Sequence, residues 1–414
     1  MIMKYQLKVV LLSMLLLLNY NVQAYELRDA IKDAAHHNQE LYKLKEELAT
    51  TTLAKAKAAT EFLPDVSAEW SKKNGREGRS NLMIKQEVYA GGKSIARIAS
   101  ANARIASANQ EYKEKVNNII YDVISTYQSI LTIRDKIKVM KNDVVVAKKH
   151  LDKANINVDA GAYTKSESFL AKAYLSEQES ALEESKDQLV MQEAKFKYHT
   201  GKKPPKDFRS IDLKKYDKII NKSQDIQTFV ALNNRVIRAK SEVEESKQNV
   251  NISVSNVLPK VVFSASKGEA IEKDAIGNAT SFKGQKHGIE ISSPVFNAEN
   301  YVDISKARKY KELKRSELND TTKSVRNDLN NAWIEYKAAQ NIFNLSKIAE
   351  EYHYKTLLSA EEEVKSGSKS ITDIIKIQRS YNKFAIDRLE KEERMSLSIF
   401  KIYKIIGDLT TIII

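Results

Sequence analysis

The sequence contains no cysteine. That removes disulfides, thiolate metal sites, thiol nucleophiles and an N-terminal lipid-modified cysteine in one step. Breakers are nearly as scarce, with 12 glycines and 5 prolines in 414 residues, and there are only 2 tryptophans. With 29% charged residues and a mean hydropathy of −0.47, the chain has too little apolar bulk for thick cores. Few turns and thin apolar stripes describe a mostly helical protein. No catalytic signature stands out either. The six histidines, His36, His37, His150, His199, His287 and His353, lack the spacing of a helical metal site, and no nucleophile elbow, phosphate-cradling loop or dinucleotide fingerprint occurs. Gly91-Gly92 is too short for a nucleotide loop. These absences point away from an enzyme, and no cofactor or metal is expected.

The N-terminus has the marks of export. Lys4 and Lys8 precede the apolar run Val9 to Leu18, and Val22-Gln23-Ala24 offers small side chains for cleavage. Residues 1–24 are therefore expected to be a signal peptide. Ten apolar residues are too few for a membrane anchor, which needs about twenty, and no later segment reaches that length. Net charge is +14, or +12 without Lys4 and Lys8. In an exported protein whose basic residues are spread along helices, this argues for solvated faces and against a nucleic-acid partner.

The longest pattern runs from Ile95 to Val158. Every seventh residue gives Ile95, Asn102, Asn109, Val116, Val123, Ile130, Ile137, Val144, Leu151 and Val158; a second row runs from Ile98 through Ile119, Ile133 and Met140 to Ala154. No Gly or Pro interrupts them. One supercoiling helix with a narrow seam follows, roughly 100 Å long at about 1.5 Å per residue.

Around it the chain divides into two copies of one plan. Residues 25–201 read as a helix (Asp29 to Phe62, stopped at Pro64), a β-hairpin (65–90), the long helix (93–159) and an antiparallel return helix (164–200). Residues 202–223 form a Lys-rich linker. Residues 224–414 repeat the order, with a hairpin at 260–296, a long helix at 298–365 and a return helix at 370–407. Asn38, Lys45 and Pro64 recur as Asn233, Lys240 and Pro259, displaced by 195; Asp122, Gly161 and Gly201 recur as Asp328, Gly367 and Gly407, displaced by 206. Trp333 stands 206 residues after Tyr127. The difference places an insertion in the second hairpin, whose loop is expected at about Lys267 to Gln285. The apolar strand rows are Val66, Ala68, Trp70; Leu82, Ile84, Val88; Val261, Phe263, Ala265; and Ile289, Ile291, Val295.

Four strands cannot close a barrel or stand with bare edges. Either they pack on the chain's own helices, or several chains pool them. Three chains would supply twelve, above the eight a membrane barrel needs.

Phe62-Leu63-Pro64, Gln86 through Gly92, Ser293-Pro294-Val295-Phe296, the Gly161 and Gly367 turns, and the endings at Gly201 and Gly407-Asp408-Leu409 resemble the internal repeats of the TolC family of outer-membrane efflux proteins. The resemblance covers nearly all of the chain after the signal, and it rests on order and duplicated spacing. It implies a mainly α protein with a membrane β-barrel contribution: a homotrimer with a twelve-stranded barrel in outer-membrane lipid and a long coiled-coil helical barrel across the periplasm. The function implied is that of an exit duct in tripartite efflux or type I secretion, gated like an iris. Its partners would be a periplasmic adaptor and an inner-membrane transporter, ABC or proton-driven. The alternatives are an exported structural coiled coil, which would not explain the duplicated hairpins, and a periplasmic adaptor, which would need compact β-domains that this chain lacks.

By the same resemblance, Ala160, Gly161, Ala162, Tyr163 and Ser366, Gly367, Ser368, Lys369 are expected at adaptor-docking tips. Glu167 and Asp373, six residues after each Gly, are expected at the pore gate, up to six carboxylates in a trimer. Thr164-x-x-Glu167 and Ser370-x-x-Asp373 are equally capping boxes, so helix capping and pore lining both remain open for them. Some family members carry a second acid where this chain has Lys376, which weakens the case for cation preference.

Overall fold

A computed structural model describes residues 25–71, 79–213, 216, 226–273, 279–366, 368–407 and 409. The expected signal peptide, part of the linker, Gly367, Asp408 and the last five residues lie outside the described residues.

The helices are α1 (Leu27–His37), α2 (Gln39–Ala59), α3 (Lys93–Asp159), α4 (Lys165–Thr200), α5 (Ile226–Leu232), α6 (Asn234–Ser255), α7 (Ala298–Lys365) and α8 (Ile371–Ile406). The strands are β1 (Asp65–Ser71), β2 (Arg79–Ala90), β3 (Lys260–Lys273) and β4 (Ala279–Ser292). Helices α3 and α7, 67 and 68 residues long, are the two through-rods. At the strand end each packs with a short helix, α2 on α3 and α6 on α7; at the other end each packs with its return helix, α4 or α8. The repeats join where α6 and α8 both lie against α3.

Four expectations need correction. The first helix is not continuous from Asp29 to Phe62. It breaks at Asn38, whose Oδ1 accepts hydrogen bonds from the backbone N–H groups of Glu40 (2.9 Å) and Leu41 (3.2 Å) and so starts α2. Asn233 does the same for α6 through Arg235 and Val236. The repeat landmark at displacement 195 is thus a pair of helix N-caps. Asn233 also donates through Nδ2 to the Ile405 carbonyl, tying the cap to α8. Asn38→Ala should cost about 1 kcal/mol; Asn233→Ala should cost more, because it also strands the Ile405 carbonyl. Thermal unfolding of the two variants side by side checks the order.

The seam of α3 holds from about Ile119 to Ala154, where Val123, Ile130, Met140 and Ala147 are buried. It fails near the strand end. Ile95 is 70% exposed, and the buried positions there are Ala96, Ala101 and Ala103. Small residues are needed on that face because α2 and α6 flank the rod there.

The hairpin loop expected at Lys267 to Gln285 is mostly strand. Gly268 pairs with Gly284 and the ladder continues to Lys273 opposite Ala279, leaving 274–278 outside the described residues. In β2 the alternation shifts at Val88, an unpaired bulge residue between the pairs Glu87↔Val262 and Tyr89↔Val261. The bulge brings Tyr89 into the apolar row in place of Val88.

The four strands form one antiparallel sheet in the order β1-β2-β3-β4, open at both edges. Register puts Val66, Ala68 and Trp70 on one face with Leu82, Ile84, Phe263, Ala265, Ile289 and Ile291. The other face carries Ser67, Glu69, Lys85, Glu87, Ser264 and Glu290. The apolar face is exposed, Trp70 at 70% and Ile291 at 72%. The strands pack chiefly on one another and on the 3₁₀ turn Thr60–Phe62, so the sheet does not bury that face against the chain's own helices.

The largest core sits at mid-length and is built from α1, α3, α4, α7 and α8 around Tyr127, Phe196, Phe400 and Tyr403. The residues after α4 lie across it. The Tyr127 hydroxyl donates to the carbonyls of Tyr25 (3.0 Å) and Arg209 (2.7 Å), and the Tyr403 hydroxyl donates to that of Tyr216 (2.6 Å).

Candidate gate and docking site

At the end opposite the sheet, both rods turn into their return helices. After α3, the Gly161 N–H donates to the Val158 carbonyl (3.0 Å), and the Ala162 and Tyr163 N–H groups donate to that of Asn157 (2.8 and 3.1 Å). Gly161 has φ +74, so the helix closes in a Schellman motif that a side chain at this position would strain. After α7, Ser368 and Lys369 donate in the same way to the Glu363 carbonyl (2.8 and 3.3 Å), and Glu363 stands 206 residues after Asn157. Gly367 lies outside the described residues. The two tips are therefore one turn built twice.

The tip residues Ala160, Gly161, Ala162, Ser366 and Ser368 are exposed, while Tyr163 packs half-buried against the core beneath. Lys369 is held down by an ion pair from its Nζ to Glu363 Oε2 (2.6 Å). The sequence reading missed this pair; its six-residue spacing across a turn is outside the helical i,i+4 pattern.

Both acids cap the return helices. Glu167 Oε2 accepts from the Thr164 N–H (2.8 Å) and Oγ1 (3.2 Å). Asp373 Oδ2 accepts from the Ser370 Oγ (2.8 Å) and N–H (3.3 Å), and the Asp373 N–H donates back to Ser370 Oγ (3.2 Å). Hydrogen bonds from the Ser370 side chain and backbone, then the charges of Lys376 and Lys369, hold the Asp373 carboxyl below the usual carboxylate range. Lys376 itself is exposed one turn further on. In one chain the structure does not join Glu167 to Asp373: each carboxylate bonds to its own cap residue. What brings the tips together is an apolar core shared by four helix ends, including Ala154, Ala171, Leu357, Ala360 and Ile371.

Just above this core lies a buried polar layer that sequence reasoning also missed. The Tyr174 hydroxyl donates to Asp143 Oδ1 (2.8 Å), Asn382 Nδ2 reaches the Tyr174 oxygen (3.4 Å), and Gln378 Nε2 donates to Asn382 Oδ1 (3.1 Å). The available signal was Asp143 itself, a charge directly beside Val144 in the strongest part of the apolar seam. Among the described residues no group of three or more His, Cys, Asp or Glu side chains could hold a metal ion.

No protein-family model matches the chain. Its sequence is 18% identical over 364 residues to the outer membrane efflux protein BepC of Brucella suis biovar 1 (strain 1330), covering 85% of this chain and 79% of that protein. Its fold is similar to that of the outer membrane protein VceC from Vibrio cholerae, with a TM-score of 0.78 and 17% identity over 92% of this chain and 96% of that one. It is similar also to the Campylobacter jejuni CmeC outer membrane channel, with a TM-score of 0.76 and 14% identity over 92% and 85% of the two chains.

Proposed function

We propose that this chain, which has the fold of the TolC-family outer-membrane channels, is the exit duct of an efflux or secretion assembly. Three copies close a twelve-stranded barrel in the outer membrane and a helical barrel across the periplasm. The observation that carries this reading is the open four-stranded sheet with an exposed apolar face and a polar opposite face. Two bare edges and an unburied apolar face are unstable in water. Edge-to-edge closure by further copies removes the edges, and lipid covers the apolar face while the polar face lines a wet lumen. Ile334, Leu345, Ile348 and Tyr352 form an exposed apolar stripe along α7 that a neighbouring copy would cover.

The tips then stand at the periplasmic end, roughly 100 Å below the sheet. Residues Ala160 to Tyr163 and Ser366 to Lys369 dock a periplasmic adaptor. Glu167 and Asp373 both cap their helices and ring the pore, with Lys376 moderating the field. The duct is passive, so energy comes from an inner-membrane transporter.

Single-channel conductance of the purified oligomer in a planar bilayer tests this. Wild type should give a small conductance that prefers cations; Asp373→Ala or Glu167→Ala should lower that preference several-fold or raise the conductance. Because the folded Asp373 carboxyl lies below its unfolded value, its charge and its capping contribution are present above the usual carboxylate range. Both are lost only as pH falls through the depressed value. The share of selectivity that Asp373→Ala removes should therefore persist on mild acidification. An oligomer extracted intact from membranes that forms no channel would overturn the duct.

A further inference from the structure

Tyr25 directly follows the expected signal peptide, and the fold uses each of its polar groups. The Tyr25 N–H donates to the Asp207 carbonyl (3.1 Å), and the Tyr25 carbonyl accepts from the Arg209 N–H (3.1 Å) and the Tyr127 hydroxyl (3.0 Å). These bonds make a parallel bridge between Tyr25 and Phe208. The Tyr25 ring stacks on Phe208 (5.6 Å between centroids) and meets Phe196 edge-on (6.2 Å), while its hydroxyl donates to Asp33 Oδ2 (2.8 Å). A chain end is normally loose unless something ties it down. Here residue 25 is part of what holds the crossing segment over the mid-length core.

Val22-Gln23-Ala24 places the expected cleavage directly before Tyr25. Hydrolysis of the Ala24–Tyr25 peptide bond consumes one water, leaves a carboxylate on Ala24 and turns the Tyr25 amide nitrogen into an α-ammonium. The nitrogen that gains the charge is the one bonded to Asp207. A hydrogen bond from a charged donor is roughly twice as strong as one between neutral groups.

The surroundings suit a cation. Glu26, Asp29 and Asp33 come from α1, Glu193 from α4 and Asp207 from the crossing segment. Against these five acids stand Arg134 of α3, paired with Glu193 (3.3 Å), Lys202, paired with Asp33 (2.6 Å), and Arg209, paired with Glu26 (2.5 Å). Arg28 and Lys32 of α1 are exposed, where water screens their charge. The positive end of α1 also lies here, and the Glu26–Asp29 capping box already answers it. Burial, then the bond and charge of Asp33 and the charge of Asp29, push the Tyr25 phenol up. The same negative field favours a cation at the nitrogen of that residue.

Resting on the export reading of the N-terminus, we propose that cleavage after Ala24 completes the belt at mid-length. The new Tyr25 α-ammonium, held by the Asp207 carbonyl in an acid-rich corner, is the charged tie that fastens residues 207–209 to α1 and α3. The uncleaved chain has only a neutral amide at this place. Processing by an export peptidase is thus a step in building the fold as well as in releasing the chain. The duct reading does not depend on this tie, and conductance tests it separately.

The test moves the charge and leaves the rest of the chain alone. One or two glycines inserted between Ala24 and Tyr25 keep the cleavage motif, so the mature chain begins at glycine and its ammonium stands away from Asp207. Intact mass confirms each start. At about pH 7, proteolysis between Lys206 and Leu213 should run several-fold faster in both extended chains than in wild type. The tie needs a protonated amine, so its advantage is full below the ordinary α-amine value of about 7.7–8.0 and is lost as the pH rises above it. At about pH 10 the extended chains and wild type should be cut at nearly equal rates. A wild-type chain that starts anywhere but Tyr25 overturns the proposal. So do equal rates at neutral pH, or a difference that persists at alkaline pH, since an inserted residue that merely crowds the belt acts at both. If neither extended chain folds, wild type decides alone: its cleavage in this segment, divided by that of the unfolded chain at the same pH, should rise several-fold from neutral to alkaline pH, and a flat ratio overturns the tie.

Discussion

Gly268→Ala should nearly abolish the trimer proposed above. Gly268 has φ +145, and a Cβ built there would lie 2.1 Å from the Ser80 carbonyl oxygen and 2.8 Å from the Asn81 Cα. Both obstacles are backbone of β2, the strand that Gly268 pairs with, so no side-chain rotation relieves them. Its partner on the other side, Gly284, has φ +148, so the β3–β4 ladder passes this point with glycine on both strands. The backbone strain alone is about 1–3 kcal/mol for a non-glycine residue. The clash adds to it by forcing β2 and β3 apart. That pair is the join between the two hairpins in the order β1-β2-β3-β4, so its loss splits the sheet between the repeats. A trimer would carry the penalty three times. On an unheated gel, the band of that proposed oligomer should fall to a trace. Gly288→Ala, in the same sheet with nothing within 4 Å of the added carbon, should leave it unchanged.

The rods were legible in the sequence because their signal is long and local. Heptads without Gly or Pro place α3 at residues 93–159, where the structure has it. The duplicated spacing was legible for the same reason, but not what the landmarks do. Asn38 and Asn233 mark a repeat in the sequence; they cap helices only because the chain breaks before α2 and α6, and a single Asn inside a helical pattern does not announce a break. The strand end of α3 misled because an Ile at a heptad position reads as buried whatever stands opposite. With alanine faces needed there against α2 and α6, Ile95 turns outward. At the tips, the turn geometry follows from Gly161 and the capping patterns. The layer of Asp143 with Tyr174 and Asn382 joins residues up to 239 positions apart, and no local pattern carries that. The segment after α4 was opaque too, since Phe208 and Arg209 gain meaning only from the tyrosine they meet.

That tyrosine sets the last expectation. Tyr127→Ala should cost about 3–5 kcal/mol, the range for emptying a large buried aromatic site. The ring is fully buried and stacks on Phe208 at 4.4 Å with 10° between planes, and Tyr25 stacks on the same Phe208 ring at 5.6 Å. Arg134 lies 4.9 Å from the Phe208 centroid and donates to the Pro205 carbonyl (2.8 Å), so the crossing segment is fastened at several points that all converge on this stack. Burial pushes the Tyr127 phenol well above its ordinary value, so it remains a donor at any working pH. Truncation leaves the Arg209 carbonyl without that donor and Phe208 without the nearer of its two stacking partners. Tyr127→Phe keeps the stack and loses only the hydrogen bonds, about 1 kcal/mol. Trp333, the counterpart 206 residues on, is half-buried, so Trp333→Ala should cost less than Tyr127→Ala. Thermal unfolding ranks the three. Limited proteolysis adds the local readout: cleavage between Lys206 and Leu213 should appear in Tyr127→Ala well below its unfolding temperature and stay absent in Tyr127→Phe. Equal protection in both would mean that the aromatic stack does not hold the segment, and that the Arg134 contacts hold it without the ring.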